Sequence, residues 1–192
     1  MSCYSEDELQ SLGFRSIGKD VRLSRKSSVY GAKNISIGNH VRIDDFCVLS
    51  AGVGGITLGN YIHMGVYSAI LGGGAVTLED FVNISSRVSI YSSNDDYSGA
   101  SMTNPMVPAR YTSIQLADVR LCKHVIVGSG SVILPGITIG EGCAVGALSM
   151  LNQDCKPFGI YTGVPARRIK ERKKDLLELE QQFQQELNQY DS

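Results

Sequence analysis

Aliphatic residues recur six positions apart through most of the chain. From Ile37 the beat passes through Ile43 and Leu49, resumes at Leu58, Met64 and Ile70, and runs again through Leu78, Ile84 and Ile90. After a gap it returns at Leu121, Val127, Ile133, Ile139, Val145 and Leu151. A small or branched residue often sits four positions later, as at Val41, Cys47, Ile62, Ser68, Val82, Val88, Val125, Ser131, Cys143 and Ser149. The aliphatic is frequently followed by Gly, Asp, Glu or Ser, as in IGNH, LGNY, LEDF and IGEG. A period of six suits neither an amphipathic helix nor a simple two-sided strand. It suits a parallel β-helix with three short flat faces per turn, each sending one side chain into a stacked core.

The interruptions are as informative as the beat. It slips by three residues near Gly54-Gly55 and by two near Gly72-Gly73-Gly74, where corner bulges are expected. The largest break, residues 91–118, is polar and turn-rich with prolines at 105 and 108. A long insertion in a compact repeat fold points to function. Before the coil, Ser5-Glu-Asp-Glu8 reads as a capping box opening a short helix from Glu6 to Leu12 that stops at Gly13. Coils begin near Ile17 and Leu23. After Leu151 the chain leaves the repeat through Gly163-Val-Pro-Ala-Arg167, and from Lys170 a helix is expected with Leu176, Leu179, Phe183, Leu187 and Tyr190 on its apolar stripe. The expected organisation is therefore an N-terminal helical segment over 1–16, an all-β coil over 17–169 and a C-terminal helix over 170–192.

Composition narrows the partners. Among 192 residues, 21 glycines, no tryptophan and 7% aromatics fit tight corners and small stacked side chains. A net charge of -1 argues against a protein that binds nucleic acid through many phosphate contacts. No apolar run reaches the ~18 residues of a membrane span, and the N-terminus lacks the regions of a signal peptide. Five cysteines show no CxxC spacing, and Cys47 and Cys143 fall on inward positions, where a thiol acts as a small hydrophobe. A reduced, cytoplasmic setting is expected.

The beat, the run Val127-Gly-Ser-Gly-Ser-Val-Ile-Leu-Pro-Gly-Ile-Thr-Ile-Gly140 and the exit Gly163-Val-Pro-Ala-Arg167 resemble the hexapeptide-repeat acyltransferases. The segments YSEDELQSLGF, VRIDDFCVLSAG, SSRVSIYSSNDDYSG and TNPMVP are similar to the N-acyltransferases of nucleotide-linked 4-amino-4,6-dideoxy sugars, as in the viosamine and anthrose branches. The resemblance implies a left-handed β-helix, an exception to right-handed crossovers. It also implies a homotrimer with active sites between subunits, acetyl-CoA or another acyl-CoA as donor, no metal, and a place in surface-glycan (O-antigen or lipopolysaccharide) biosynthesis. The acceptor implied is the C4 amine of a dTDP-linked 4-amino-4,6-dideoxyhexose; thymidine as the base rests on resemblance alone.

Many O-acetylating members carry a loop histidine as general base. Here that position reads Asn94-Asp95-Asp96-Tyr97, and the histidines are His40, His63 and His124, outside the loop. An amine needs less activation than a hydroxyl, so a carboxylate that orients the ammonium and accepts a proton would suffice. Asp95, with Asp96 beside it, fits that role, and Ser85 or Ser86 would hold the amine. The plain alternative is that both aspartates cap turns. His63 is the rival base, and with it the chain would be a sugar O-acetyltransferase; a non-catalytic β-helix scaffold is a further alternative. A zinc site of the carbonic-anhydrase kind would need imidazoles converging from neighbouring coils, which spacings of 23 and 61 do not suggest. Tyr97, Tyr67, Asn83, Arg87 and His63 are candidates for lining the acceptor groove. By resemblance, Gly128, Gly146 and Ala147 would present backbone to pantetheine, with Pro165, Arg167, Arg168 and Lys170 near the nucleotide end. The plain reading of the two glycines is a corner, and of the basic run a solvated helix face.

Overall fold

The computed structural model describes residues 2–190. The chain winds into a solenoid whose three faces are parallel sheets. The first face stacks Ser16–Ile17, Ile35–Ile37, Ile56–Leu58, Val76–Leu78, Val119–Leu121 and Thr138–Ile139. The second stacks Arg22–Leu23, Arg42–Ile43, His63–Met64, Asn83–Ile84, Ile126–Val127, Ala144–Val145 and Gly159–Gly163, and the third Ser28–Tyr30, Val48–Ala51, Ala69–Gly72, Ser89–Tyr91, Val132–Ile133 and Met150–Leu151. Register follows the beat, so Ile37 lies over Leu58 and Leu78 over Leu121.

Every aliphatic of the beat is buried, and so are the ten residues four positions on, from Val41 to Ser149. Burying one such aliphatic side chain contributes about 1.5–3 kcal/mol. The gain is spread evenly along the axis, because each coil touches only its neighbours. The inward serines keep their hydroxyls satisfied: Ser68 donates to the Ser85 carbonyl at 2.9 Å, and Ser149 to that of Gly146 at 2.7 Å.

The corner between the first and second faces is a second, polar-aromatic spine. The Asn60 side-chain oxygen accepts from the Asn39 amide at 2.9 Å, and Asp80 accepts from the Asn60 amide at 2.7 Å. Beside this ladder His40, Tyr61, Phe81 and His124 stack face to face at 4.6, 5.1 and 4.9 Å. These four have φ of 56–62°, the left-handed region normally left to glycine. That conformation costs about 1–2 kcal/mol per residue; stacking, at about 0.5–1.5 kcal/mol per pair beyond area burial, offsets much of it.

Both ends are capped. Helix α1 (Glu6–Ser11) has the capping box, with Ser5 and Glu8 exchanging hydrogen bonds, and Gly13 follows at φ 75°. Leu9 closes the first coil from outside. The C-terminal end departs from the sequence expectation. Ala166–Glu171 is a strand pairing antiparallel with Gly159–Gly163, and helix α2 spans Leu176–Tyr190 rather than starting at Lys170. The reason is non-local: the exit segment closes the edge of the second face, and pairing there overrides the helix propensity of the basic run. Arg172 then donates to the carbonyls of His124 and Gly142 at 2.9 and 3.0 Å, pinning the exit to the coil. On α2, Phe183 meets Tyr61 and Phe81 edge-on at 5.2 and 6.2 Å. Leu179, expected on the docked stripe, is 63% exposed; Glu180 is turned inward instead. The side chain of Tyr190 lies outside the described residues.

Candidate active site

The long insertion leaves the third face after Tyr91 and is closed at its base by a two-stranded antiparallel pair, Ser93–Asn94 with Gln115–Leu116. Within it the two neighbouring aspartates do different things. Asp96 accepts from the amides of Ser98 and Ser101 at 2.8 and 2.7 Å and from their hydroxyls at 2.6 and 2.8 Å. The Ser98 hydroxyl and amide lead these four donors in holding the carboxyl far below the usual carboxylate range. Asp96 thus does what the plain alternative described: it shapes the turn. Asp95 has no hydrogen-bond or ionic partner among the described residues. It lines two adjoining clefts, one of about 370 Å3 with Leu71, Tyr91, Tyr97 and Pro105, the other with Asp96, Tyr97 and Thr103. Tyr97, 88% exposed, projects beside it.

The remaining candidates lie on the second face and the corner that follows it. Arg42, His63 and Asn83 are consecutive rungs of one ladder. His63 Nε2 lies 3.0 Å from Asp44 and Nδ1 lies 3.1 Å from Asn83 Oδ1. Asp44 also accepts from Arg42 at 2.7 Å. Burial pushes the Asp44 carboxyl up, but His63 and Arg42 together outweigh it and hold the group below its ordinary range. Two residues beyond Asn83, Ser85 is half-buried. Its amide donates to the Val127 carbonyl at 2.9 Å, and its hydroxyl has no partner among the described residues. Ser86 donates to the Ser129 hydroxyl at 3.2 Å. At the corner Tyr67 stacks on Phe46 at 4.9 Å, with the Arg87 guanidinium 5.5 Å from its ring centroid.

The structure therefore brings together His63, Asn83 and Ser85, with Tyr67 and Arg87 at the adjoining corner, and places Asp95, Asp96 and Tyr97 elsewhere. Within one chain the whole third face separates Ser85 from Asp95. His40 and His124 belong to the aromatic spine, and no three metal-ligating groups converge among the described residues. Sequence reasoning missed Asp44 and Arg42. The available signal was the 20- or 21-residue rung length seen in the pairing of Arg42 with His63 and His63 with Asn83.

The proposed donor residues fall into two groups. The amides of Gly128 and Gly146 donate along the sheet to the carbonyls of Val145 and Tyr161 at 2.8 Å, so those N–H groups are committed. A Cβ on Gly128 would come within 2.5 Å of the Ala147 nitrogen, which explains the glycine by coil spacing alone. Arg167, Arg168 and Lys170 lie exposed on the exit strand that follows Pro165. Arg168 pairs with Glu171, and Arg167 donates to the Ala166 carbonyl at 2.9 Å.

Comparison with known proteins settles the family. The dTDP-4-amino-4,6-dideoxy-D-glucose acyltransferase of Escherichia coli is 55% identical over 183 residues, 95% of each chain. The chain belongs to the dTDP-amino-sugar acyltransferases. No protein-family model matches it. Another member, AntD, an N-acyltransferase from Bacillus cereus, has been solved in complex with dTDP and 3-hydroxybutyryl-CoA. It superimposes with a TM-score of 0.93 at 46% identity, covering 97% of this chain and 98% of that one. AntD has also been solved with dTDP-4-amino-4,6-dideoxyglucose and coenzyme A, and with a serine or, ten residues further on, an aspartate substituted. A galactoside acetyltransferase, 22% identical with a TM-score of 0.62 over 91% of this chain and 75% of that one, shares the fold alone. The coil is the left-handed parallel β-helix that the beat and the family resemblance implied.

Proposed function

We propose that this acyltransferase moves an acyl group, acetyl in the simplest case, from a CoA thioester to the C4 amine of a dTDP-4-amino-4,6-dideoxyhexose. The observation that carries the assignment is the contrast within the loop: Asp96 is saturated by four internal donors, whereas Asp95 is held beside it with none among the described residues and faces a cleft. A carboxylate left unpaired by its own fold is available to a cationic amine. Ser85 and Asp95 are also ten residues apart, the separation of the serine and aspartate substituted in AntD.

In the reaction the neutral amine attacks the thioester carbonyl and an N–C bond forms. The amine proton passes to Asp95, the C–S bond breaks, and Asp95 returns that proton to the departing CoA sulfur, which leaves as the free thiol. Ser85, with its hydroxyl unpaired, orients the amine. Because the third face separates Ser85 from Asp95 in one chain, the site is completed by the loop of one subunit meeting the second face of another, in a homotrimer. Tyr67, Arg87 and Tyr97 line the nucleotide-sugar side. Arg167, Arg168 and Lys170 offer charge to the CoA phosphates. The setting is cytoplasmic, where CoA thioesters and nucleotide sugars meet; no described helix is long and apolar enough to cross a membrane.

The test is CoA release with a dTDP-linked 4-amino sugar for the wild type, Asp95→Asn and Ser85→Ala. Loss of a positioned acid–base group lowers the rate by about 10²–10⁴-fold, and that is the expected fate of Asp95→Asn. Full activity in Asp95→Asn would overturn the mechanism, and failure of the wild type on every amino-sugar nucleotide would overturn the substrate class.

A further inference from the structure

His63 is the one histidine beside Ser85, so its role decides how the second face takes part. Asp44, 8% exposed, is flanked by Arg42 at 2.7 Å and His63 Nε2 at 3.0 Å. A carboxylate only accepts, so Nε2 carries the proton of that bond. The other nitrogen, Nδ1, lies 3.1 Å from Asn83 Oδ1. Both ring nitrogens therefore face partners on the protein, Asp44 and Asn83. The Asn83 Nδ2 group, turned away from the ring, donates to no described residue. In a strand, side chains two apart share a face, so Asn83 and Ser85 both point outward. Between Asp44 and Ser85 in the adjacent column stands Gly65, where a Cβ would meet the Ser86 nitrogen at 2.8 Å and the Ser85 carbonyl carbon at 3.0 Å, so the coils pack closely beneath the imidazole.

We propose that His63 is a positioning residue: braced by Asp44 and Arg42, it fixes the Asn83 amide so that its N–H groups face an acceptor oxygen of the substrates bound beside Ser85. Asn83 is then the group that touches substrate. The oxygen belongs either to the sugar, as a ring hydroxyl, or to the thioester carbonyl as negative charge develops on it. This rests on the amine-acylation reading above. It adds to that reading a donor on the second face and removes His63 from proton transfer.

The experiment is a double-mutant cycle in the full-length enzyme with His63→Ala, Asn83→Ala and the double variant, assayed for CoA release across pH. A residue acting through another gives non-additive losses. His63→Ala is expected to lower kcat/KM by about 10–100-fold, as loss of an outer-shell orienting partner does at metal sites. The double variant is expected to be no worse than Asn83→Ala alone, and the acid limb of the pH profile to keep the wild-type midpoint. His63→Gln, whose amide can still donate to Asn83, should regain part of the loss; it also carries the cycle if the alanine variant folds poorly. A fall in kcat at constant KM would assign the oxygen to the thioester, and a rise in KM would assign it to the sugar. Multiplicative losses, or an acid limb that disappears with His63, would overturn the proposal. An inactive wild type would instead condemn the substrate assignment.

Discussion

His124 Nε2 on the second-face corner lies 2.6 Å from a carboxylate oxygen of Glu180 on helix α2, and Lys123 donates to the other oxygen of the same group. Burial pushes the Glu180 carboxyl up; the bonds from Lys123 and His124 together outweigh it and leave it below its ordinary range. The sign follows from linkage. A depressed folded-state carboxyl contributes stability that is complete above the unfolded value, about 4.3, and is lost as pH falls through the folded value. Helix α2 should therefore loosen below about pH 4 while the coil persists, since Phe183 is its main other anchor. Hydrogen exchange resolved to the peptide, at pH 7 and in acid, would show protection of α2 lost first. Glu180→Ala should reproduce that loss at pH 7, at a cost of about 1–3 kcal/mol for the donors left unpaired. Unchanged α2 protection in that variant would show that the pair does not hold the helix.

Asp96 is expected to act on activity through Asp95 rather than on the coil. Asp96→Ala removes the acceptor for two amides and two hydroxyls, and the turn over Ser98 and Ser101 loses its centre. Asp95, one residue away, then drifts from the amine. Misplacement by about 1 Å can cost a hundredfold in rate, so kcat/KM should drop by up to about that factor. The thermal midpoint should hardly move, because no core aliphatic is disturbed. A large fall in the midpoint with kcat/KM preserved would mean that the loop supports the fold and not the site.

Most of the fold was legible because the solenoid repeats one local rule: Ile37, Leu58 and Leu78 stack because each precedes the same kind of corner, Gly38-Asn39, Gly59-Asn60 and Glu79-Asp80. What escaped was set by contacts far apart in sequence. The basic run from Arg167 has good helix formers, yet Ala166–Glu171 is a strand because an open edge at Gly159–Gly163 needed pairing. Leu179 fits a helical stripe but faces solvent, since the corner it would meet presents Lys123 and His124, which take Glu180. At the candidate site, the loop could be found from the interrupted beat, and Asp95 was singled out within it by the family resemblance. The separate engagements of Asp96 and His63 could not, because they depend on turn geometry and on which neighbour lies one rung away. Apportioning the site between subunits lies beyond any single-chain pattern.

Gly128 should prove a packing glycine. In Gly128→Ala the new Cβ would meet the Ala147 nitrogen at 2.5 Å and the Gly146 carbonyl carbon at 2.8 Å, both backbone atoms held by the sheet. Overpacking of this kind costs about 1–3 kcal/mol. The denaturation midpoint should fall accordingly, with KM for acyl-CoA changing less than threefold, on the order of 0.6 kcal/mol. A stable variant with strongly raised KM would restore Gly128 to the pantetheine contact that the family resemblance implied.

The cysteines give a test of the packed interior. Burial pushes the Cys155 thiol up to about 12, and raises those of Cys47, Cys143 and, less enclosed, Cys122. A thiol reacts as thiolate, so a disulfide reagent at pH 8 should modify Cys3 quickly, Cys122 slowly, and the other three only on unfolding. All five should react in guanidinium. Linkage adds a second readout. A thiol whose folded-state pKa is raised contributes stability that is fully present below the unfolded value, about 8.5, and lost as pH rises toward the folded one. The denaturant midpoint should therefore decline between about pH 9 and the value near 12 for Cys155, and Cys155→Ala should flatten part of that slope. Rapid labelling of Cys155 in the native protein would mean that the last coil, where the exit segment closes the solenoid, opens far more readily than its burial implies.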